Sequence, residues 1–133
     1  MLKTETVRYE QDGFRAVITI SEANGLIASK QARLKRAAIE ERQAAKTRPD
    51  FVEDVDFWSL RVVAYPDAMA ASISIEIDDV ECVPDFLTFA SDFPQRFLDV
   101  WIDAIYRMNP HWISASAHAE EQEKKELTNS IHV

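Results

Sequence analysis

The chain has 133 residues and a formal net charge of −8, with 47% hydrophobic and 29% charged residues. This length suits one domain with a real core, and the composition is that of an ordinary globular protein. The negative charge argues against a nucleic-acid-binding protein, because phosphate contacts require clustered Lys and Arg. Only two glycines are present, which disfavours an all-β sandwich with its many tight turns.

The sequence shows no sign of export or membrane insertion. The N-terminal residues lack the apolar core of a signal peptide, and no apolar run approaches the roughly 18 residues of a membrane span. The single cysteine, Cys82, cannot form an intrachain disulfide, which fits a reducing compartment. We therefore expect a cytoplasmic protein with neither nucleic acid nor membrane as a partner.

The first two elements predict a β-hairpin. Residues Glu5 to Gln11 alternate in character and lead into Asp12-Gly13, a strong signal for a two-residue hairpin turn. The return segment, Phe14 to Ile20, has apolar side chains at alternate positions, which indicates a strand with one face on a core. Two strands alone are marginally stable, so we expect a third strand or a helix to cover them.

A long charged helix is predicted next, from about Leu26 or Ile27 to Lys46, with Ser21 as its N-cap. Residues 27–48 contain seven Lys or Arg against two Glu, whereas residues 50–81 contain nine acids against one Arg. The basic side of the helix is then either a solvated face or a surface that meets a partner. In the first case it pairs with the acidic segment, within one protomer or across an oligomer. In the second case the candidate contact residues are Arg33, Lys35 and Arg36.

The middle of the chain alternates helix and strand. Residues Asp54 to Ala64 predict a second helix, which Tyr65-Pro66-Asp67 should end, followed by a short helical turn. Ser72 to Ile77 alternates strictly at period two and predicts the third strand of the sheet. We expect Asp78-Asp79 to end this strand and residues 81–84 to form a loop.

The last patterned segment, residues 84–112, holds four of the seven Phe and two of the three Trp. It predicts a short helix from about Pro84 to Ala90 and a longer one capped by Ser91-Asp92. Asn109 should end the longer helix, because a residue before proline is pushed out of the α conformation. Its apolar stripe should be buried: Phe97, Leu98, Trp101, Ala104, Ile105 and Met108.

These elements predict an α+β fold, mostly helical, with a small three-stranded antiparallel sheet built from the N-terminal hairpin and one later strand. Residues 1–112 should form the domain, and residues 113–133 a polar tail or a solvated helix. Most aromatic side chains of the last segment should lie in the core. The alternative is that Phe86, Phe89 or Phe93 is partly exposed and lines a groove.

The sequence offers little to a catalytic or metal-binding function. His111 and His118 lie seven residues apart, too far for paired ligands on one helix. The acidic clusters match no calcium loop, and Cys82 has acidic and apolar neighbours that would not activate its thiol. We therefore expect no enzyme, no cofactor and no metal. A small enzyme would require a strained carboxylate pair in a pocket, or His111 facing a cleft.

The end of the last helix carries the most specific motif of the chain, W-I-x-A-x-Y-x-x-N-P-H-W. Its positions are Trp101, Ile102, Ala104, Tyr106, Asn109, Pro110, His111 and Trp112. An upstream WxxR…YP element is formed by Trp58, Arg61, Tyr65 and Pro66. With these motifs and its order of elements, the chain resembles the tail assembly chaperones of long-tailed bacteriophages and their prophage relatives, over about residues 7–112.

The resemblance implies a non-enzymatic protein that coats the long, helical tape-measure protein while the tail tube polymerises, and that is absent from the finished virion. It also implies, for some members, a longer frameshifted form that recruits the tail-tube protein. The terminal motif is then either client-binding or structural, ending the helix and packing Trp112 on the core. The charge pattern adds homo-oligomerisation as an expectation. The alternative function is a structural or adaptor subunit retained in a phage tail particle.

Overall fold

Residues 1–113 are the part of the chain that this computed structural model describes. They form an antiparallel sheet in the order β1-β2-β3-β4, combined with α-helices, so the prediction of an α+β fold is confirmed. The predicted tail, residues 113–133, lies outside the described residues except for its first residue. No helix within residues 1–113 is long and apolar enough to cross a membrane.

The N-terminal hairpin forms as predicted, with β1 at Thr4–Gln11 and β2 at Phe14–Ser21. Its turn residues Asp12 and Gly13 have φ of 53° and 81°, the left-handed values that a two-residue hairpin turn requires. One face of the hairpin is buried, because its apolar residues alternate with polar ones. The opposite face is open and polar, a concavity of about 650 Å³ lined mainly by Thr, Arg and Glu side chains.

The sheet has four strands, so the prediction of three was wrong. β3 spans Ser72–Ile77 as expected, but β4, Val80–Glu81, turns back and pairs with it. Asp78 and Asp79 do not simply end β3: with φ of 50° and 67° they form a second hairpin turn. Aspartate tolerates this region better than most residues. Arg15 also holds the turn, since its backbone N–H donates to Asp78 Oδ1 and its guanidinium contacts Asp79 Oδ2 at 3.2 Å.

We predicted that the second helix ends at Tyr65-Pro66-Asp67, and this prediction was wrong. α2 (Val55–Ser59) continues through a π-helical turn (Leu60–Ala64) directly into α3 (Tyr65–Ala71). The Tyr65 N–H donates to the Leu60 carbonyl, the longer-range bond of a π turn. Proline lacks an N–H and clashes with the carbonyl four residues back in a regular helix. The wider π turn just before Pro66 relieves this conflict, so the helix continues.

The first helix, α1, spans Gly25–Lys46 and begins one residue earlier than expected. Its N-cap is Asn24, whose side-chain oxygen accepts from the Ile27 N–H at 2.9 Å, and not Ser21, which lies in β2. Ala38 is its one fully buried residue, as the thin apolar stripe indicated. α1 packs against α3 and the π turn, with few large apolar side chains at that contact.

The two last helices form near their predicted positions with different caps. α4 (Phe86–Ser91) is capped by Asp85, whose Oδ1 accepts from the Thr88 N–H at 2.8 Å. α5 (Gln95–Met108) begins after Pro94 without a side-chain cap, so the predicted Ser91-Asp92 cap was wrong. Those two residues instead end α4.

α5 packs on the buried face of β1 and β2 and provides the centre of the core. Its predicted stripe is confirmed, with Met108 half-buried and the other five residues buried. Asn109 ends the helix with φ −131°, and residues 110–113 start a new helical turn. The aromatic rings of Phe97 and Trp101 stack at a centroid distance of 5.3 Å within this core.

Candidate functional site

The terminal motif centres on Asn109, whose side chain is fully buried. Its Oδ1 accepts from the Ala23 N–H at 2.7 Å, and its Nδ2 donates to the carbonyls of Ser21 at 3.1 Å and Ile105 at 3.3 Å. A buried amide requires such partners, because an unmade hydrogen bond costs more than a made one gains. Asn109 thereby fixes the end of α5 to the connection between β2 and α1.

Trp101 and Trp112 are core residues. Trp101 is fully buried, and its indole Nε1–H donates to Ser72 Oγ at 2.9 Å at the start of β3. Trp112 is 5% exposed, and its backbone N–H donates to the Asn109 carbonyl at 3.0 Å. Of the two open interpretations of the motif, packing Trp112 back on the core is therefore the one observed. Pro110 and His111 are exposed, and the His111 ring contacts Trp112 edge-on at 5.9 Å.

Tyr106 belongs to a polar cluster around a buried carboxylate that sequence reasoning missed. Asp67 on α3 is 1% exposed. Its Oδ1 accepts from Gln31 Nε2 at 2.7 Å and lies 3.3 Å from Lys35 Nζ, and its Oδ2 accepts from the Tyr106 hydroxyl at 2.7 Å. The cluster joins α1, α3 and α5. Its signal in the sequence was an acid in an otherwise uncharged stretch, residues 62–75.

The three basic residues proposed as an interaction surface do not form one exposed surface. Lys35 points inward and pairs with Asp67, so it is no part of an exposed surface. Arg33 and Arg36 are exposed, and no ion pair of either occurs within residues 1–113. Further ion pairs join α1 to the acidic segment within this protomer: Arg42 to Glu53, and Glu41 to Arg61. The interpretation that the basic helix pairs with the acidic segment therefore holds for Lys35 and Arg42, whereas the Glu41–Arg61 pair has the opposite sense.

The upstream element joins the helix of residues 55–71 to α4. Trp58 and Pro66 are buried. The Tyr65 hydroxyl donates to the Pro84 carbonyl at 2.6 Å, and burial raises the pKa of this phenol. The Arg61 guanidinium lies over the Phe86 ring, 5.3 Å from its centroid. Like the terminal motif, these residues hold helices together.

The three Phe candidates for a groove differ in exposure. Phe89 is fully buried against Tyr65 and Trp101, so for this residue the groove alternative was wrong. Phe86 and Phe93 are half-buried. Phe86 contacts Phe57, which is 40% exposed, at a ring distance of 5.5 Å. This aromatic contact lies beside the start of α4.

Four exposed apolar residues belong to β3, to β4 and to the segment that leads from β4 into α4. We call this set the edge strip, and each of its residues is more than half exposed. They are Ile73 at 56%, Val80 at 63%, Val83 at 83% and Leu87 at 68%. Ile73 and Val83 share an open groove of about 480 Å³, whose other residues include Lys30 and Glu81.

The edge strip follows from how the chain leaves the sheet. β4 pairs only with the end of β3, and the last bond of this hairpin is Cys82 N–H to the Ile75 carbonyl at 2.9 Å. The pairing of β2 with β3 is irregular at Ile20, which is opposite Ser72, so Ile73 falls outside the regular register. Ile73 consequently remains on the surface.

The described part of the chain offers little to a metal-binding or nucleophilic site. No group of three or more His, Cys, Asp or Glu side chains within residues 1–113 is arranged to hold a metal ion. Burial raises the pKa of the Cys82 thiol, which makes it a weaker nucleophile at neutral pH. His118, the other candidate of the histidine pair, lies outside the described residues.

Comparison with known proteins gave no identification: no family model, no curated protein and no solved structure matches this chain.

Proposed function

We propose that this protein is a tail assembly chaperone that binds the tape-measure protein of a long-tailed phage during tail morphogenesis. The proposal makes it a non-enzymatic binding protein that acts in the cytoplasm of the infected or lysogenic host and leaves before the virion is complete. It starts from the resemblance carried by the terminal motif. The observation that supports a binding role is the edge strip.

Exposed apolar side chains that are grouped on one edge are typical of a surface that a partner covers. Ile73 and Val83 border one open groove, and the exposed Val80 and Leu87 lie within four residues of Val83 in the chain, whereas the open face of the sheet is polar. A long helical client with apolar stripes would aggregate unless a chaperone covered those stripes, and laying a helix into an apolar groove is a common mode of recognition. The net charge of −8 would also help to keep the loaded complex soluble.

The motif residues bear on where the client binds. Because Trp101, Asn109 and Trp112 are buried, they are explained by folding and are not needed for contact with the client. The client-binding surface is then expected outside the motif.

The test is co-expression with the long, helix-rich protein encoded nearby, followed by affinity pull-down and size-exclusion chromatography. We expect a soluble complex, and aggregation of the large protein when the small one is omitted. A large protein that stays soluble alone and does not bind would overturn the proposal. Mass spectrometry of purified phage particles separates the alternative, because a retained adaptor subunit would be found in the virion and a chaperone would not.

A further inference from the structure

β1 is the outer strand of the sheet, and its free edge is long and regular. It pairs with β2 over eight consecutive residues without a bulge, and it contains no proline. Within residues 1–113, no strand pairs with its other side. At the opposite end of the sheet, β4 has only two residues. Short strands, bulges and prolines protect the edges of natural sheets, and β1 has none of these protections against pairing with another chain.

The hydrogen bonds of β2 show which backbone groups of β1 face the free edge. The Arg15 carbonyl accepts from the Asp78 N–H at 2.8 Å, so the backbone of Arg15 faces β3 and not β1. The residue opposite Arg15 in β1 is Glu10, whose backbone groups consequently face outward. This direction alternates along a strand, so four residues of β1 turn their N–H and C=O groups to the free edge. All four are exposed, and they are Thr4, Thr6, Arg8 and Glu10.

Two of these residues make the free edge complementary to itself. A second copy of β1 that adds antiparallel, with the two-fold axis at Tyr9, places Arg8 opposite Glu10 in both halves of the pair. Opposite charges at such positions stabilise an antiparallel pair, and like charges destabilise it. Moving the axis by one residue in either direction opposes Arg8 with its own copy or Glu10 with its own copy. The charges therefore select the register that is centred on Tyr9.

Both charged side chains are available for this pairing. Arg8 forms no ion pair within the part of the chain that the structure describes. Glu10 contacts Arg15 of its own chain at 3.4 Å, and both of these side chains are exposed. A carboxylate has acceptor sites for two guanidinium groups, so this contact does not exclude a second one.

α5 carries a similar arrangement of charges beside the same edge. Arg107 pairs with Glu5 of β1, whereas Tyr106 donates to Asp67 of α3 on the other side of the helix. The side of α5 that carries Arg107 therefore faces the free edge of β1. Three further residues share this side at helical spacing, and all are exposed: Arg96, Val100 and Asp103.

α5 runs antiparallel to β1 along the inner face of the sheet. Its first residue, Gln95, lines a groove with Gln11 at the end of β1, and Arg107 contacts Glu5 near the beginning of that strand. Val100, which is 43% exposed, consequently lies over the middle of β1 and close to the two-fold axis.

The same axis brings two copies of α5 together. α5 packs on both β1 and β2, so two strand spacings separate it from its copy, a distance of about 10 Å. The axes of packed helices are usually about 8–10 Å apart. Val100 then meets its own copy at the axis, and Arg96 lies near Asp103 of the second copy on either side. The helix contact thus requires the same symmetry as the Arg8–Glu10 pairs.

We propose that this protein forms a symmetric homodimer through the free edges of β1, so that two four-stranded sheets become one continuous sheet. Backbone hydrogen bonds join Arg8 to Glu10 of the second copy, and α5 packs beside its own copy over the junction. The charges on the edge disfavour other strands and other registers, which makes a second copy the preferred partner. The inference goes beyond the proposed function and does not depend on it, because it concerns a surface distinct from the edge strip.

The dimer is tested on the full-length protein by sedimentation equilibrium and by amide hydrogen exchange over a wide range of concentrations. We expect a reversible monomer–dimer equilibrium. Exchange at the Arg8 and Glu10 amides should be about tenfold or more slower in the dimer, because these N–H groups face the free edge in the monomer. The Val7 and Tyr9 amides, which face β2, are the internal control and should change less. A protein that stays monomeric, or a dimer in which Arg8 and Glu10 exchange at the monomer rate, would overturn the proposal.

A charge exchange tests the register. Arg8→Glu should weaken the dimer about tenfold, because it replaces two opposite-charge pairs by two like-charge pairs. Combining it with Glu10→Arg restores opposite charges and should recover most of the affinity. Arg33→Glu on α1 is the matched control, since it makes the same change in net charge at an exposed site and should leave the dimer constant unchanged. A dimer that Arg33→Glu weakens and Arg8→Glu does not would place the interface on α1 and contradict the proposal.

Val100→Glu tests the position of α5 at the junction. It places two like charges together at the two-fold axis and should weaken the dimer about tenfold or more, while the Tm of the monomer stays near that of the parent protein. Leu26→Glu is the control, because it introduces the same charge at an apolar residue of α1 that is 82% exposed. Equal dimer constants for these two variants would contradict the packing of α5 against its copy.

Discussion

The end of α5 buries its large side chains, whereas the edge strip exposes them. Around Asn109, both polar atoms of a buried amide are hydrogen-bonded, and Trp101 and Trp112 pack beside them. Along the edge strip, four apolar side chains are each more than half exposed to solvent. The first region stabilises the fold, whereas the second leaves apolar surface in contact with water. A recognisable motif therefore marks the fold, and the candidate binding surface has no motif.

The largest effect that tests this contrast is expected at Trp101. Trp101→Ala should lower the free energy of unfolding by about 3–5 kcal/mol, because a fully buried indole leaves a cavity in the core. Chemical denaturation with urea measures it. By the same measurement, the strip double variant Val83→Ser and Leu87→Ser should stay within about 0.5 kcal/mol of the parent protein, as surface substitutions usually do.

Trp101→Phe is the companion variant, which keeps the test valid if Trp101→Ala does not fold. It keeps an aromatic ring between Phe89 and Phe97 and loses the hydrogen bond to Ser72 Oγ. Its loss of stability should be clearly smaller than that of the Ala variant. A strip variant that destabilised the protein as much as Trp101→Phe would remove the distinction between the two regions.

Much of the fold was predictable because its signals are local. Asp12-Gly13 is a strong turn dipeptide, Ser72–Ile77 alternates strictly, and the stripe of α5 has helical spacing. These patterns depend on neighbouring residues alone. The caps were less predictable, because Asn24 and Asp85 each compete with another polar residue a few positions away.

The features that sequence reasoning missed depend on contacts between distant residues. β4 needs Asp78-Asp79 to turn back, and Arg15, 63 residues away from Asp78 in the chain, helps to hold that turn. The continuous helix through Pro66 needs a π turn that no propensity indicates. Lys35 and Arg36 look alike in the sequence, yet only the first is directed at the buried carboxylate of Asp67.

This last difference leads to the second prediction, which concerns α1. Lys35→Ala should lower the free energy of unfolding by about 1–2 kcal/mol, since Asp67 stays buried with one cationic partner fewer and the pair is only partly screened by solvent. Arg36→Ala is the matched control and should change stability by less than about 0.5 kcal/mol. Urea denaturation distinguishes the two variants, and equal losses would contradict the assigned role of Lys35.

The difference between Lys35 and Arg36 also determines which variant can test self-association. Substituting Lys35 disturbs the protomer itself, so a change in elution could not be assigned to a lost interface. Arg33→Glu combined with Arg36→Glu alters only exposed side chains of α1. If the basic helix of one copy meets an acidic surface of another, this double variant should elute as a smaller species while keeping the parent Tm.

The smallest expected effect concerns Asp85, which caps α4 where the edge strip enters that helix. Its pKa is lowered because the Thr88 backbone N–H and then the Thr88 hydroxyl donate to the carboxylate. A lowered pKa means that this stabilisation is complete above the ordinary value of about 3.9 and is lost as the pH falls through the folded-state pKa. The first turn of α4, with Leu87, should therefore loosen in acid.

Asp85→Asn isolates this contribution from the many other carboxylates that titrate in the same range. Asparagine is a comparably good N-cap and does not titrate, so only the parent protein loses the cap interaction in acid. Comparing the Tm of the two proteins from pH 6 down to pH 3 should show the parent losing more than the variant. Hydrogen exchange at the Thr88 and Phe89 amides should report the same change locally. Parallel curves would mean that the carboxylate does not hold this turn in solution, and the edge strip would then lead into a frayed end of α4 in place of a formed helix.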